Sequence, residues 1–156
     1  MRKRERRLRF GLIGGAASGV VLALLLKGAE AATGQEVYRL LLNVDFMPWV
    51  PRNMPEWAEL ALHMAVALPL GWVYLRLLTL WQSPLWLGLG VGLAVACCTW
   101  VPLTQLSERV PDTSDWGALG LWLAGHLGYG LALAAAGAYW RKKERRNEDE
   151  LSIVYR

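Results

Sequence analysis

Four apolar stretches, each long enough to cross a bilayer as a helix, dominate this chain. They run over about residues 10–32, 56–80, 85–106 and 116–140, and each meets the requirement of about 20 consecutive, mainly apolar residues. A helix satisfies its own backbone hydrogen bonds and so tolerates lipid, which an open sheet does not. The expected fold is therefore all-α: a single transmembrane domain over 1–156 with four membrane-spanning helices. Of the 156 residues, 54% are hydrophobic and 19% charged. The charges gather between and beyond the apolar stretches instead of spreading as on a water-exposed surface.

The placement of basic residues predicts the orientation. "MRKRERRLR" before the first stretch and "RKKERR" after the fourth are strongly cationic, while the segments after the first and third stretches carry no net positive charge. The positive-inside rule puts both tails, 1–9 and 141–156, in the cytoplasm. "WQSP", Trp81 to Pro84, then forms a tight cytoplasmic turn with Trp81 and Trp86 as interfacial anchors and Arg76 near the inner interface. Basic tails beside a span can form a nucleic-acid or anionic-lipid patch, but their expected role here is to set topology. A second reading of the first stretch is a secretory signal peptide, with a small-residue cleavage site at Ala29 to Ala31. Against it stand Lys27, the length of the run and its glycine spacing. Cys97 and Cys98 are adjacent, poorly placed to bridge each other, and expected to be buried thiols.

Between the first two spans, "GQEVYRLLLNV" carries Val37, Leu40, Leu41 and Val44 at helical spacing, and Pro48, Pro51 and Pro55 then break the helix. This predicts a short interfacial helix with Tyr38 and Trp49 at headgroup level, which serves either as a lid over what lies beneath it or as a plain surface connection. Gly11, Gly15 and Gly19 in the first span and Gly88, Gly92 and Ala96 in the third recur at intervals of four. Such ridges let helix backbones approach closely. They serve packing within the bundle or a homo-oligomer seam, with the former favoured.

The polar residues inside the spans converge on the outer half. Spans one and three run outward to Lys27 and Glu30 and to Gln105 and Glu108, whereas spans two and four run inward from Glu56 and Asp115. Glu59 and His63 are four apart and share a helix face. His63 and His126 lie roughly 10 to 15 Å below the outer ends of their helices, at 1.5 Å per residue. An ionisable group at that depth points to function, because a charge there costs a few kcal/mol (~2.5–3.5) even on insertion scales; the alternative is a neutral His63 that bonds to Glu59 or a backbone carbonyl and simply joins helices. Each half of the chain also has a glycine-ridged helix followed by a helix opened by "PEW" or "SDW" that carries a histidine, the pattern of a duplicated hairpin. Pro69 and Pro102 free the carbonyls of Ala65 and Cys98, and kinks there are expected to open toward one partly hydrated cavity lined by Glu59, His63, Gln105 and His126.

The first span "GLIGGAASGVVLALLLKGAE", the histidine followed eleven residues later by tyrosine in "HMAVALPLGWVY", the start of the third helix "LWLGLGVGL", and "GHLGYG" ahead of a basic tail resemble YagU-like bacterial inner-membrane proteins. A looser similarity is to the YqhR-like membrane proteins of Gram-positive bacteria. The resemblance covers most of the chain except the outer segment, which is longer in the family. It implies a location in the bacterial cytoplasmic membrane and points to Lys27, Glu30, His63, Tyr74 and His126. It implies no settled activity.

Three function classes follow. The first is a non-enzymatic membrane protein whose outer polar vestibule binds or passes an ion, proton or small solute. The second is a scaffold or assembly partner acting through its glycine ridges. The third is a b-type haem protein, since two histidines at similar depth on different helices, His63 and His126, can hold an iron from both faces, though nothing else specifies a porphyrin. There is no G-x-S-x-G, H-E-x-x-H, P-loop or C-x-x-C motif, so an enzyme is not expected. Glu59, His63 and His126 are donors that suit zinc or iron, but three such common residues do not specify a metal site.

Overall fold

The computed structural model describes residues 2–44, 51, 54–105 and 110–154. Among them the regular structure is five α-helices: α1 (Arg2–Thr33), α2 (Val37–Leu42), α3 (Glu56–Leu77), α4 (Pro84–Gln105) and α5 (Trp116–Val154). Four of these, all but the six-residue α2, are long and apolar enough to cross a membrane. Their ends are written in local chemistry. Gly34 takes a positive φ of 77° just after α1, and its N–H bonds to the Glu30 carbonyl at 2.8 Å, a glycine stop. Pro84 opens α4, where its missing N–H costs nothing. The Asp115 carboxylate accepts from the Ala118 N–H at 2.9 Å and caps α5.

Small residues set how the helices pair. A side chain at Gly11 or Gly15 would run into the α3 backbone at Trp72 and Gly71, and one at Gly19 into Ala67 and Met64. At Gly88 and Gly92 it would meet Gly130, Ala134 and the His126 carbonyl of α5. The rising numbers on one helix meet falling numbers on the other, so α1·α3 and α4·α5 are antiparallel hairpins in near backbone contact. The hairpins join through α1 and α5: Phe10 stacks on Tyr139 at 5.8 Å, and Leu22 and Leu26 fill the space beside Gly125. Both chain termini therefore lie at one end of the bundle, the terminal end. At the other, the lid end, α2 packs against α1 and α3.

The basic tails continue the helices of the spans beside them, α1 starting at Arg2 and α5 running on to Val154; other details differ from expectation. Arg, Lys and Glu are good helix formers, and extending an existing helix needs no new nucleus. Arg141 also reaches from α5 to the carbonyls of Leu78 (2.7 Å), Trp81 (2.8 Å) and Gln82, satisfying the end of α3. Cys97 and Cys98 are exposed. The buried stripe of α4 is Gly88, Gly92, Ala96, Trp100 and Thr104, and the two thiols fall beside it. Pro69 and Pro102 are exposed too, as are Ala65 and Cys98. The freed carbonyls thus lie on the outer face of the bundle and not toward a shared cavity. The hydroxyls of Thr99 and Thr104 bond elsewhere, to Val95 (2.6 Å) and Trp100 (2.9 Å).

Candidate functional site: a covered cavity between two histidines

α3 and α4 are consecutive yet scarcely touch, and the gap between them is a cavity of about 170 Å³. Its walls are α3 and α4, its back is α5 with Leu22 of α1, and Leu41, Asn43 and Val44 at the end of α2 roof it. Asn43 holds the roof to α4 by donating to the Leu103 carbonyl at 3.1 Å. Most of the lining is aliphatic. Into it project Glu59, His63, Thr99, His126 and Tyr129.

His126 is 2% exposed. Its Nδ1 lies 2.9 Å from the Trp122 carbonyl oxygen, and its ring packs at 4.4 Å against the Trp122 indole. The indole is itself fixed, donating to the Ala96 carbonyl of α4 at 3.2 Å. The His63 ring faces the Gly19 backbone of α1. Each histidine thus sits against the lid-side glycine of its own hairpin's ridge, since Gly92 abuts the His126 carbonyl. The Nε2 of His63 and the hydroxyl of Tyr129 are buried with no hydrogen-bond partner among the described residues. Each such group costs about 1–3 kcal/mol unless something satisfies it. A water occupies about 30 Å³ of liquid, so the cavity has room for a few waters or one small solute. That occupant would meet an imidazole nitrogen on one side and a phenol hydroxyl on another, each open to a hydrogen bond.

The residues singled out from sequence divide into three groups. Glu59, His63 and His126 meet at the cavity. Lys27 and Glu30 do not line it and instead hold α2 in place above it. Lys27 Nζ lies 2.5 Å from Glu56 Oε1, the Tyr38 hydroxyl donates to the same oxygen at 2.8 Å, and Glu30 accepts from the N–H groups of Tyr38 (2.8 Å) and Arg39 (3.1 Å). Tyr38 is buried by this arrangement and does not sit out on the surface. Burial first, then its bond to the Glu56 carboxylate, pushes its pKa up to about 12. Tyr74 and Gln105 stand apart from the cavity. Tyr74 bonds to the Pro84 carbonyl at 3.0 Å near the terminal end. Gln105 is exposed at the end of α4, because the α4 face toward the cavity is that of Val95, Thr99 and Leu103. Glu108, Pro48 and Trp49 lie outside the described residues.

Sequence reasoning missed Asn43, Thr99, Trp122 and Tyr129. Trp122 and Tyr129 are four before and three after His126, on its own helix face, which was signal enough to find them. Among the described residues no three His, Cys, Asp or Glu side chains come together to hold a metal ion.

Fold and site together define an all-helical chain with four helices long and apolar enough for a membrane and a small, mostly aliphatic cavity that presents two histidines. Neither a protein-family model, nor a curated protein, nor a solved structure matches the chain.

Proposed function

We propose that the chain is a small, non-enzymatic multi-pass membrane protein whose covered vestibule binds or passes an ion, proton or small polar solute. Both termini lie in the cytoplasm, and the lid end faces out. The observation that carries this reading is the pairing of two buried, unpartnered polar atoms, His63 Nε2 and Tyr129 OH, in one cavity with Glu59 and His126. A bundle that needed only to be stable would fill that gap with aliphatic carbon. The resemblance to YagU-like proteins implies no activity and adds only the bacterial inner membrane as the location. The scaffold reading has less support, because the five ridge glycines are taken up inside the two hairpins. The haem reading has less again, because nothing besides the two histidines specifies a porphyrin.

Proteoliposomes loaded with a pH-sensitive dye, under a potassium diffusion potential, test the leading reading. Proton or alkali-cation flux that falls in both His63→Ala and His126→Ala supports it. Flux equal to that of empty liposomes for H⁺, Na⁺ and K⁺, together with no binding of small solutes, favours a scaffold. A Soret band that disappears in His63→Ala favours haem.

A further inference from the structure

At the terminal end, away from the vestibule, a pocket of about 310 Å³ between α1 and α3 is lined by Arg4, Arg7, Trp72 and Arg76. Arg4 and Arg7 are one turn apart on the same face of α1. Arg76 is in the last turn of α3, with Trp72 one turn before it. Three guanidinium groups therefore face one small hollow. Arg76 rests over the Trp72 ring at 5.9 Å. The carboxylate that approaches Arg7 is Glu144, whose oxygen is 3.9 Å from Nη2, beyond hydrogen-bond length. The Nε of Arg7 is buried with no partner among the described residues. A buried guanidinium N–H left open beside two further cations is a costly arrangement for a closed structure and an apt one for an anion.

The geometry points to a phosphate-bearing ligand: we infer that Arg4, Arg7 and Arg76 bind the phosphate of an anionic phospholipid headgroup. Guanidinium forks match phosphate oxygens and give shorter, stronger bonds than neutral donors do. The choice of a lipid over free phosphate comes from the position of the pocket. It lies where the cationic start of α1 and the last turn of α3 meet the apolar bodies of those helices, beside the partly exposed Trp72 and Leu8. An acyl chain can follow the apolar surface there while the headgroup meets the arginines, the geometry by which basic pockets between spans hold anionic lipids. This choice rests on the membrane reading, but it uses none of the vestibule residues, so the two fail separately.

Native mass spectrometry of the full chain in detergent, with phosphatidylglycerol and phosphatidylcholine of matched chains, tests it. One phosphatidylglycerol should be retained in preference to phosphatidylcholine. The double variant Arg7→Gln/Arg76→Gln should lower that retention about tenfold. The pair Arg7→Lys/Arg76→Lys keeps the charge but loses the forks, and should fall between; it decides the matter if the glutamine pair does not fold. Removing the same charge from α5 in Arg145→Gln/Arg146→Gln should leave retention within about twofold. Equal retention of the two lipids, equal loss in both glutamine pairs, or displacement of the lipid by inorganic phosphate at constant ionic strength would each overturn the inference.

Discussion

His126 and Trp122 sit one turn apart on α5, and the Nδ1 of the imidazole meets the Trp122 carbonyl oxygen at 2.9 Å. A carbonyl only accepts, so Nδ1 carries a proton. In the neutral ring this tautomer leaves Nε2 as the acceptor. Nitrogen NMR of histidine-labelled protein should show a protonated Nδ1 and a bare Nε2 for the resonance lost in His126→Gln. The opposite tautomer would mean that the Trp122 carbonyl does not orient the ring.

The roof is held by charge. Glu30 accepts two α2 backbone N–H groups, and Lys27, Glu56 and Tyr38 meet at one carboxylate oxygen. Bonds from backbone N–H groups to a carboxylate, as at Glu30, are worth about 1.5–3 kcal/mol where they are shielded from water, whereas the Lys27–Glu56 pair is exposed on both sides and adds little. In Glu30→Ala the α2 amides should exchange with deuterium roughly tenfold faster, or more, while those of α4 stay unchanged. Exchange that does not respond would show that α2 is held by Val37 and Leu40, both fully buried, and not by the carboxylate.

Tyr38 links the same roof to pH. Its folded-state pKa, about 12, lies above the ordinary value of 10.0, so the folded chain favours the neutral phenol. The stability it contributes is complete below pH 10 and is lost as pH rises from 10 toward 12. Thermal unfolding in detergent should show a loss over that window that is smaller in Tyr38→Phe. An identical alkaline profile in both proteins would contradict the raised pKa of Tyr38.

The bundle was legible where the signal was periodic or compositional. Twenty-residue apolar runs mark α1, α3, α4 and α5, and the interval of four between glycines marks the faces that pair. Glu59, His63 and His126 could be placed together because each is a polar residue at known depth in an apolar helix. The rest was not legible because it depends on helix rotation. Cys97, Pro69 and Pro102 are as apolar in sequence as Ala96, yet they fall on the exposed face. Gln105 lies at a suitable height but on the wrong side of α4. That Lys27 and Glu30 serve the lid and not the cavity follows from where α2 folds back, which no spacing reveals.

Two glycines of different ridge status test the packing. A side chain at Gly15 would collide with the α3 backbone, whereas one at Gly90 would meet nothing within 4 Å. Gly15→Ala should destabilise the detergent-solubilised protein by about 1–3 kcal/mol. Gly90→Ala should be neutral or stabilising by up to about 1 kcal/mol. Equal effects in thermal melts would count against the α1·α3 contact.

The reading that the lid end opens outward over a vestibule is tested most directly by reagent access. In a Cys97→Ser/Cys98→Ser background, Glu59→Cys would be exposed to a small, charged, membrane-impermeant thiol reagent in right-side-out vesicles, with Pro51→Cys, at an exposed position of the outer segment, as the reactive standard. The account predicts that Glu59→Cys reacts from the outside, and more slowly than Pro51→Cys because α2 covers it. Reaction from the terminal side alone, or none while Pro51→Cys reacts fully, would contradict it.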